Sequence, residues 1–200
     1  MIADVPDLPL IQDGPPPRER ADAARNRLRI LEAAAQLVDE RGIEHVSMED
    51  VACTAGVGTG TLYRRFGDRA GLALALLDEH TKEFQDELIA GPPPLGPGVP
   101  AAERLTAFGL GYIDLLERHA ALMVAADPGG TEGRGVIQFY VTHLTILLRE
   151  AAPQLDAQLT AHALLAMLAP NEHVRARMGY GWDVERMKAG WAGLIDSIAA

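Results

Sequence analysis

The sequence predicts an all-α protein in which a small N-terminal head of three helices is followed by a larger helical body. Three observations carry that expectation. From Asp22 onward apolar residues recur at helical spacing, no stretch alternates with the period of a strand, and clusters of Gly and Pro separate the periodic segments. With 200 residues, 48% of them apolar and 23% charged, and a mean hydropathy of +0.02, the chain can bury a sizeable core without being membrane-like.

Residues 1–20 hold Pro6, Pro9 and the run Pro15, Pro16 and Pro17 with no helical or strand period, which predicts a flexible arm. The head is expected over 21–68 and the body over 69–200. In the first helix Leu28, Leu31, Ala35 and Val38, flanked by Ile30, Ala34 and Leu37, make one wide stripe, and Gly42 is placed to end it. Ser47, Met48, Glu49 and Asp50 form a capping box that opens a short helix over 48–55, closed by Gly56. A second short helix over 59–65 sets Leu62 and Phe66 four apart on one side. Asp68 then caps a longer helix whose buried stripe is Leu72, Leu76 and Leu77.

Residues 91–100, Gly-Pro-Pro-Pro-Leu-Gly-Pro-Gly-Val-Pro, cannot be helical and mark the clearest internal break. Further helices are expected over 101 to about 125, broken or bent near His119, and over 134–151, with Ile137, Val141, Leu144 and Leu148 on one stripe. A third follows over 155–168. The last, 183 to about 198, places Met187, Trp191, Leu194 and Ile198 on one face.

Several function classes fall away on composition. No apolar run is long enough to cross a bilayer and Asp4, Asp7 and Asp13 spoil a cationic leader, so a cytoplasmic protein with no membrane partner is expected. The single cysteine, Cys53, can form neither an intrachain disulfide nor a thiolate metal cluster, and among apolar neighbours it reads as a small buried hydrophobe. Nucleophile, zinc-protease and phosphate-loop motifs are absent, and His80, His119, His143, His162 and His173 are scattered. Neither catalysis, nor a metal, nor a cofactor is expected.

The net charge of −10 opposes a nucleic-acid partner only if the chain is taken whole. Between Arg18 and Arg69 nine Arg balance nine Asp or Glu, whereas residues 70–200 hold nine basic against sixteen acidic side chains. Within the balanced part Arg25, Arg27 and Arg29, and Arg64, Arg65 and Arg69, form two clusters that allow a local basic face.

Two helices of about eight residues joined by Ala55-Gly56-Val57-Gly58 have the dimensions of a helix-turn-helix reader. The second is too short to be a useful core element, yet with Leu62 and Phe66 gripping the scaffold it leaves Thr59, Gly60, Thr61, Tyr63, Arg64 and Arg65 for a major groove. Residues 25–77 resemble the N-terminal domain of the TetR family of transcriptional regulators. The resemblance rests on Arg25, Ile30-Leu31, Ala33-Ala34, Gly42, Ser47-Met48, Val51-Ala52, Ala55-Gly56-Val57, Gly60-Thr61-Leu62-Tyr63, Phe66, Asp68-Arg69 and Leu72. It implies an all-helical homodimer that binds double-stranded operator DNA through its three N-terminal helices. In such proteins a small organic effector binds in the body, the fourth helix carries the signal, and the last two helices form the dimer.

At matching positions the resemblance implies phosphate contacts from Thr61, Tyr63 and Arg69, base-facing positions at Thr59 and Arg64, and further DNA contacts from Arg25, Ser47, Gly60 and Arg65. The chain departs from the family at Gly58, where Ser or Thr is usual, at Arg65, where His is common, and at Arg69, where Lys is usual. In the body, Phe108, Tyr112, Met123, Phe139, Tyr140 and His143 combine apolar surface with a few polar atoms and are candidates to line an effector pocket. Leu159, Ala163, Ala166, Met167, Met187, Gly190, Trp191 and Leu194 are candidates for the dimer interface, pairing small residues with apolar area. A repressor released from a palindromic operator by its effector is the expected function. An activator or architectural DNA binder of the same fold, or an all-helical carrier or enzyme, are the alternatives.

Overall fold

The computed structural model describes residues 17–126 and 134–200, which form nine α-helices with no strand among the described residues. The head comprises α1 (Pro17–Arg41), a 3-10 turn (Ile43–His45), α2 (Met48–Ala55) and α3 (Thr59–Phe66). The body comprises α4 (Arg69–Ala90), α5 (Ala101–Ala126), α6 (Arg134–Ala151), α7 (Ala157–Met167), α8 (Pro170–Val174) and α9 (Val184–Ala199), with a π turn (Arg175–Gly179) after α8.

Local chemistry accounts for most of the head. Gly42 follows α1 at φ 79°, a backbone conformation open to glycine. The Ser47 hydroxyl accepts from the Asp50 amide at 3.1 Å, and the Asp50 carboxylate accepts from the Ser47 amide at 3.2 Å, so the expected capping box is complete. Gly56 closes α2 in the left-handed region. By contrast α3 starts at Gly58 with no side-chain cap, in extended backbone at φ −71° and ψ 140°. The Asp68 side chain accepts from the Gly71 amide at 2.9 Å to open α4. A Cβ on Gly71 would sit 1.9 Å from the Phe66 carbonyl oxygen, so the tight passage from α3 into α4 admits hydrogen alone. Ile30, Ala34 and Leu37 of α1, Val51, Ala52 and Ala55 of α2, Leu62 of α3 and Leu72 of α4 close the head core.

In the body, α5 is the central helix, packed by α4, α6, α8 and α9, while α7 lies against α6. Phe84, Leu88, Leu105, Phe108, Tyr112, Tyr140, Leu144, Leu148, Trp191 and Ile195 fill the core. Gly109 is the notch that seats Trp191: a Cβ there would meet the indole at 1.9 Å, and the indole N–H donates to the Leu105 carbonyl at 3.1 Å. Glu117 of α5 accepts from Arg177 Nε and Nη2 at 3.0 and 2.9 Å and bonds His173 Nε2 at 3.0 Å, pinning the π turn to α5. Burial pulls the Glu117 carboxyl upward, but the hydrogen bonds from Arg177 and His173 outweigh it and hold the carboxyl below its ordinary value. Head and body meet at a small seam where Ile43 packs with Ala73, Leu77 and Ala126.

Several expectations are corrected. Residues 17–20, assigned to the arm, form the first turn of α1, where Pro17 is tolerated because the first helical amides need no partner within the helix; the rest of the arm lies outside the described residues. No break occurs at His119, since Ala120, Ala121 and Leu122 favour continuation and no Gly or Pro interrupts them. Asp156 caps α7, which therefore starts at Ala157 rather than Leu155. Residues 170–179, given no helix from sequence, are helical. Cys53 is exposed, because α2 turns Val51, Ala52 and Ala55 inward and carries Cys53 outward. Ile137 leaves the α6 stripe and is 42% exposed.

Two stability changes follow. Gly109→Ala should cost about 1–3 kcal/mol or more despite its better helix propensity, because the Trp191 ring must be displaced from a close-packed site; a urea titration followed by tryptophan fluorescence should show the lower midpoint. Gly58→Ser should instead stabilise the protein by a few tenths of a kcal/mol, since its Cβ meets no atom within 4 Å and the backbone already has the conformation of a helix cap. Calorimetric melting of the two proteins side by side checks this.

Candidate nucleic-acid interface

Short helices expose most of their circumference, and α3 shows how that is divided. Leu62 is fully buried and Phe66 half-buried, which fixes the inward direction. At helical spacing the outward pole is then Arg64 with Gly60. Tyr63 lies on the side of α2, with Thr59 nearer the inward face at the exposed start of the helix, and Thr61 and Arg65 lie on the side of α1. The contacts agree. The Tyr63 hydroxyl, on a ring 45% exposed, donates to Glu49 Oε1 of α2 at 3.3 Å. The Glu49 charge, then burial, raises the Tyr63 phenol above its ordinary range, so it stays a proton donor at neutral pH. Thr61, Arg64 and Arg65 share an open groove with Arg25, Asn26 and Arg29 of α1.

The other predicted positions separate into free and engaged. Arg25 is exposed and paired with Asp22 one turn earlier on α1, a weak solvent-facing pair that a phosphate can displace. Arg69 is exposed and donates to the Glu44 carbonyl at 3.3 Å, which holds it near the 3-10 turn. Ser47 is otherwise occupied. Its amide and its hydroxyl both donate to Asp50, the hydroxyl at 2.6 Å, so its donors build the cap of α2 rather than face outward. Those hydrogen bonds hold the Asp50 carboxyl below its ordinary value. Arg27 departs from its two neighbours: its guanidinium lies 5.8 Å from the centre of the Phe66 ring and braces the inner face of α3. Arg29, of the first arginine cluster, lines the groove.

A second feature lies in the body, where a cavity of about 300 Å³ opens between α4, α5, α6 and the start of α8. Of the six predicted pocket residues Tyr112, Met123 and Tyr140 line it. Phe108, Phe139 and His143 do not; His143 stacks on both phenylalanines behind the wall, and Phe108 packs against Tyr112, Tyr140 and Trp191. Burial, then the charge of Arg104, pushes the His143 imidazole down to about 4, so it is neutral at physiological pH. Leu74, Leu77, Val136 and Ile137 line the cavity without having been anticipated, because their faces could not be registered against α5 from sequence.

Among the predicted interface residues Leu159 and Met167 are 68% and 58% exposed, and Ala163, Ala166 and Gly190 are exposed as well. Met187 and Leu194 are half-buried against the body core. Trp191 is corrected: at 3% exposure it belongs to the core of its own chain, drawn in by the Gly109 notch. Met178, Tyr180 and Trp182 add exposed apolar surface that the sequence reading missed, although the aromatic pair around Gly181 was its visible signal.

Residues 30–76 match the family of bacterial regulatory proteins described as the tetR family. An HTH-type transcriptional regulator of Staphylococcus aureus strain USA300 is 40% identical over 75 residues, which cover 34% of this chain and 40% of that protein. Its bovine-strain RF122 counterpart is 43% identical over 65 residues, 32% of this chain and 35% of that protein. The match thus spans well under half of these relatives' length. Solved structures share the fold along most of the chain. A putative TetR-family regulator from Rhodococcus superposes with a TM-score of 0.62 at 24% identity, covering 88% of this chain and all of that one. The fatty acid degradation regulator FadR of Bacillus subtilis, solved with stearoyl-CoA, gives 0.61 at 17% identity over 84% of this chain and 97% of that one. The head is thus similar to the tetR family of bacterial regulatory proteins over residues 30–76, and most of the chain shares the all-helical fold of these solved structures.

Proposed function

We propose that the protein is a homodimeric transcriptional regulator that binds a palindromic DNA operator through α3 and leaves it when a small organic effector enters the body. The outward pole of α3 carries this reading. Arg64 stands opposite the buried Leu62, flanked by the Tyr63 hydroxyl toward α2 and by Thr61 and Arg65 toward a groove lined by Arg25 and Arg29. Guanidinium groups and hydroxyls suit phosphate oxygens, and only the polar extremity of the helix reaches base edges. In this reading Thr59, Gly60 and Arg64 approach the bases, Thr61, Tyr63, Arg65, Arg69 and Arg25 hold the backbone, and Ser47 keeps α2 in position. The similar relatives are regulators by name, which supports the assignment of the head.

The dimer is supported by exposed apolar and small residues on α7 and α9. Leu159, Ala163, Ala166 and Met167 lie outward on α7, and a Cβ on Gly190 or Gly193 of α9 meets nothing, so a second helix can approach closely. The effector site is supported by the cavity of α4, α5 and α6, three of whose wall residues were candidates from sequence.

Selection of bound fragments from a random duplex pool should return an inverted repeat. On that sequence Arg64→Ala should flatten discrimination at one base pair of each half-site by about 1–3 kcal/mol, whereas Tyr63→Phe or Arg69→Ala should weaken all duplexes by similar factors. Unchanged relative affinities across a base-substitution series in the Arg64 variant would move that residue to the backbone.

Sedimentation equilibrium at micromolar concentration should give about twice the 21.4 kDa chain mass. Leu159→Asp combined with Met167→Asp, both at exposed positions, should shift the protein to the monomer with its helicity retained; a persistent dimer would place the interface elsewhere.

A further inference from the structure

We propose that Glu49, at the start of α2, sets the sequence preference of the head at one base pair of each half-site by accepting a hydrogen bond from the amino group of a cytosine. The inference rests on reading the head as an operator binder and deepens it by naming a specificity-determining residue outside α3.

Placement is the first observation. Glu49 is exposed in the first turn of α2, and its Oε1 accepts from the Tyr63 hydroxyl at 3.3 Å. The carboxylate therefore stands at the edge of the face on which α3 presents Gly60 and Arg64. It is an anion on a surface that meets a polyanion. No Lys, Arg or His forms an ion pair with it among the described residues. Three arginines of the head are turned elsewhere: Arg25 to Asp22, Arg27 to the Phe66 ring and Arg69 to the Glu44 carbonyl.

The second observation is a conflict over one proton. A phenol has a single O–H to give, and Tyr63 gives it to Glu49 in the free protein, although a phosphate contact from Tyr63 needs the same proton. Once the hydroxyl turns to a phosphate, the carboxylate has lost its partner inside a closing interface and needs another donor. A duplex offers few. Its phosphates and deoxyriboses only accept, and the donors of the major groove are the N4 amino group of cytosine and the N6 amino group of adenine. The adenine amino group sits beside N7, whose lone pair repels a carboxylate, whereas a C–H group lies beside the cytosine amino group. Guanine and thymine turn O6, N7 and O4 toward the groove and repel it as well. Cytosine is the base that Glu49 accepts, and the exchange of partners leaves both side chains satisfied in the free and the bound protein.

Fragments selected from a random duplex pool by the full-length wild type, Glu49→Gln and Glu49→Ala proteins test this, with competition titrations at the position where the selected sequences differ. The wild type should favour cytosine there by about tenfold over the other bases, and Glu49→Ala should level the four to within about twofold. Glu49→Gln should move the preference to adenine, because an amide both donates to N7 and accepts from N6. The position should be distinct from the one that Arg64→Ala flattens. Tyr63→Phe should weaken every duplex and keep the preference for cytosine. Far-UV circular dichroism of the Glu49 variants should match the wild type, since Ser47 and Asp50 build the cap of α2 without Glu49.

A Glu49→Ala protein that binds all duplexes more tightly, or more weakly, by one common factor would overturn the inference and reduce Glu49 to a charge felt by the phosphates. A preference for cytosine that survives in both Glu49 variants would overturn it too, and loss of that preference in Tyr63→Phe would overturn the exchange of partners. The operator reading is judged separately. A wild type without any sequence preference would sink that reading and this inference together, whereas an inverted repeat that is the same for all the Glu49 proteins would sink the inference alone.

Discussion

Beyond the start of α4, whose Leu72 belongs to the head core, head and body touch through a seam of a few apolar side chains, and communication between them is constrained by what those side chains can do. Ile43 of the 3-10 turn packs with Ala73 and Leu77 of α4 and Ala126 at the end of α5, with Val38, Leu122 and Met123 around them. Leu77, Met123 and Ala126 also line the body cavity. One layer of residues thus separates the cavity interior from the turn that joins α1 to α2. Protein interiors are packed too closely to absorb a change of volume locally, so whatever alters the cavity is felt at the seam. A shift at α4 reaches α3 directly, because the passage between them is too tight to take up slack: Gly71 admits no Cβ beside the Phe66 carbonyl.

The head solves a different problem, which is to hold two eight-residue helices with little core. Caps supply what burial cannot. Ser47 and Asp50 satisfy each other's amides at the start of α2, and Asp68 does the same for α4. The uncapped α3 depends on its inward side: Leu62 is wholly buried, and Phe66 is braced from outside by Arg27. That division leaves the outward pole of α3 without structural duties. Side chains there can be chosen for a partner, since little of the fold depends on them.

Much of this was legible because it is local. Gly42, the Ser47 to Asp50 box, Gly56 and Asp68 act over four residues or fewer, and the structure places helix ends where they stand. What was not legible depends on contacts between distant segments. Nothing near Trp191 in sequence says that Gly109, eighty-two positions earlier, leaves a hole for its indole. Nothing near Phe108 says that it is sealed among Phe84, Tyr140 and Trp191 while Tyr112, one helical turn on and stacked against it, reaches the cavity wall. The helical run at 170–179 was hidden for a related reason. Pro170, Gly179 and Gly181 look like punctuation, yet the segment is held by Glu117 through Arg177 and His173, partners more than fifty residues away. Cys53 shows that apolar neighbours in sequence do not settle burial in a helix, where the next residue points a quarter-turn or more away.

Charge is distributed so that the body is not a passive support for the head. Residues 70–200 carry the excess of acid, while the balanced head gathers Arg25, Arg29, Arg64 and Arg65 along one groove. To an approaching polyanion the body presents repulsion and one face of the head presents attraction. The gradient between them orients the encounter before any base is read, because wrong orientations bring phosphates toward the carboxylates of the body. It also limits how firmly the protein can hold arbitrary duplex, since a few arginines neutralise few phosphates against a net charge of −10. In the dimer proposed above, specific binding then comes from the fit of two correctly spaced heads rather than from charge in bulk. On the proposed reading a small change in the spacing of the heads suffices for release, and the shared wall of cavity and seam is where such a change can be made.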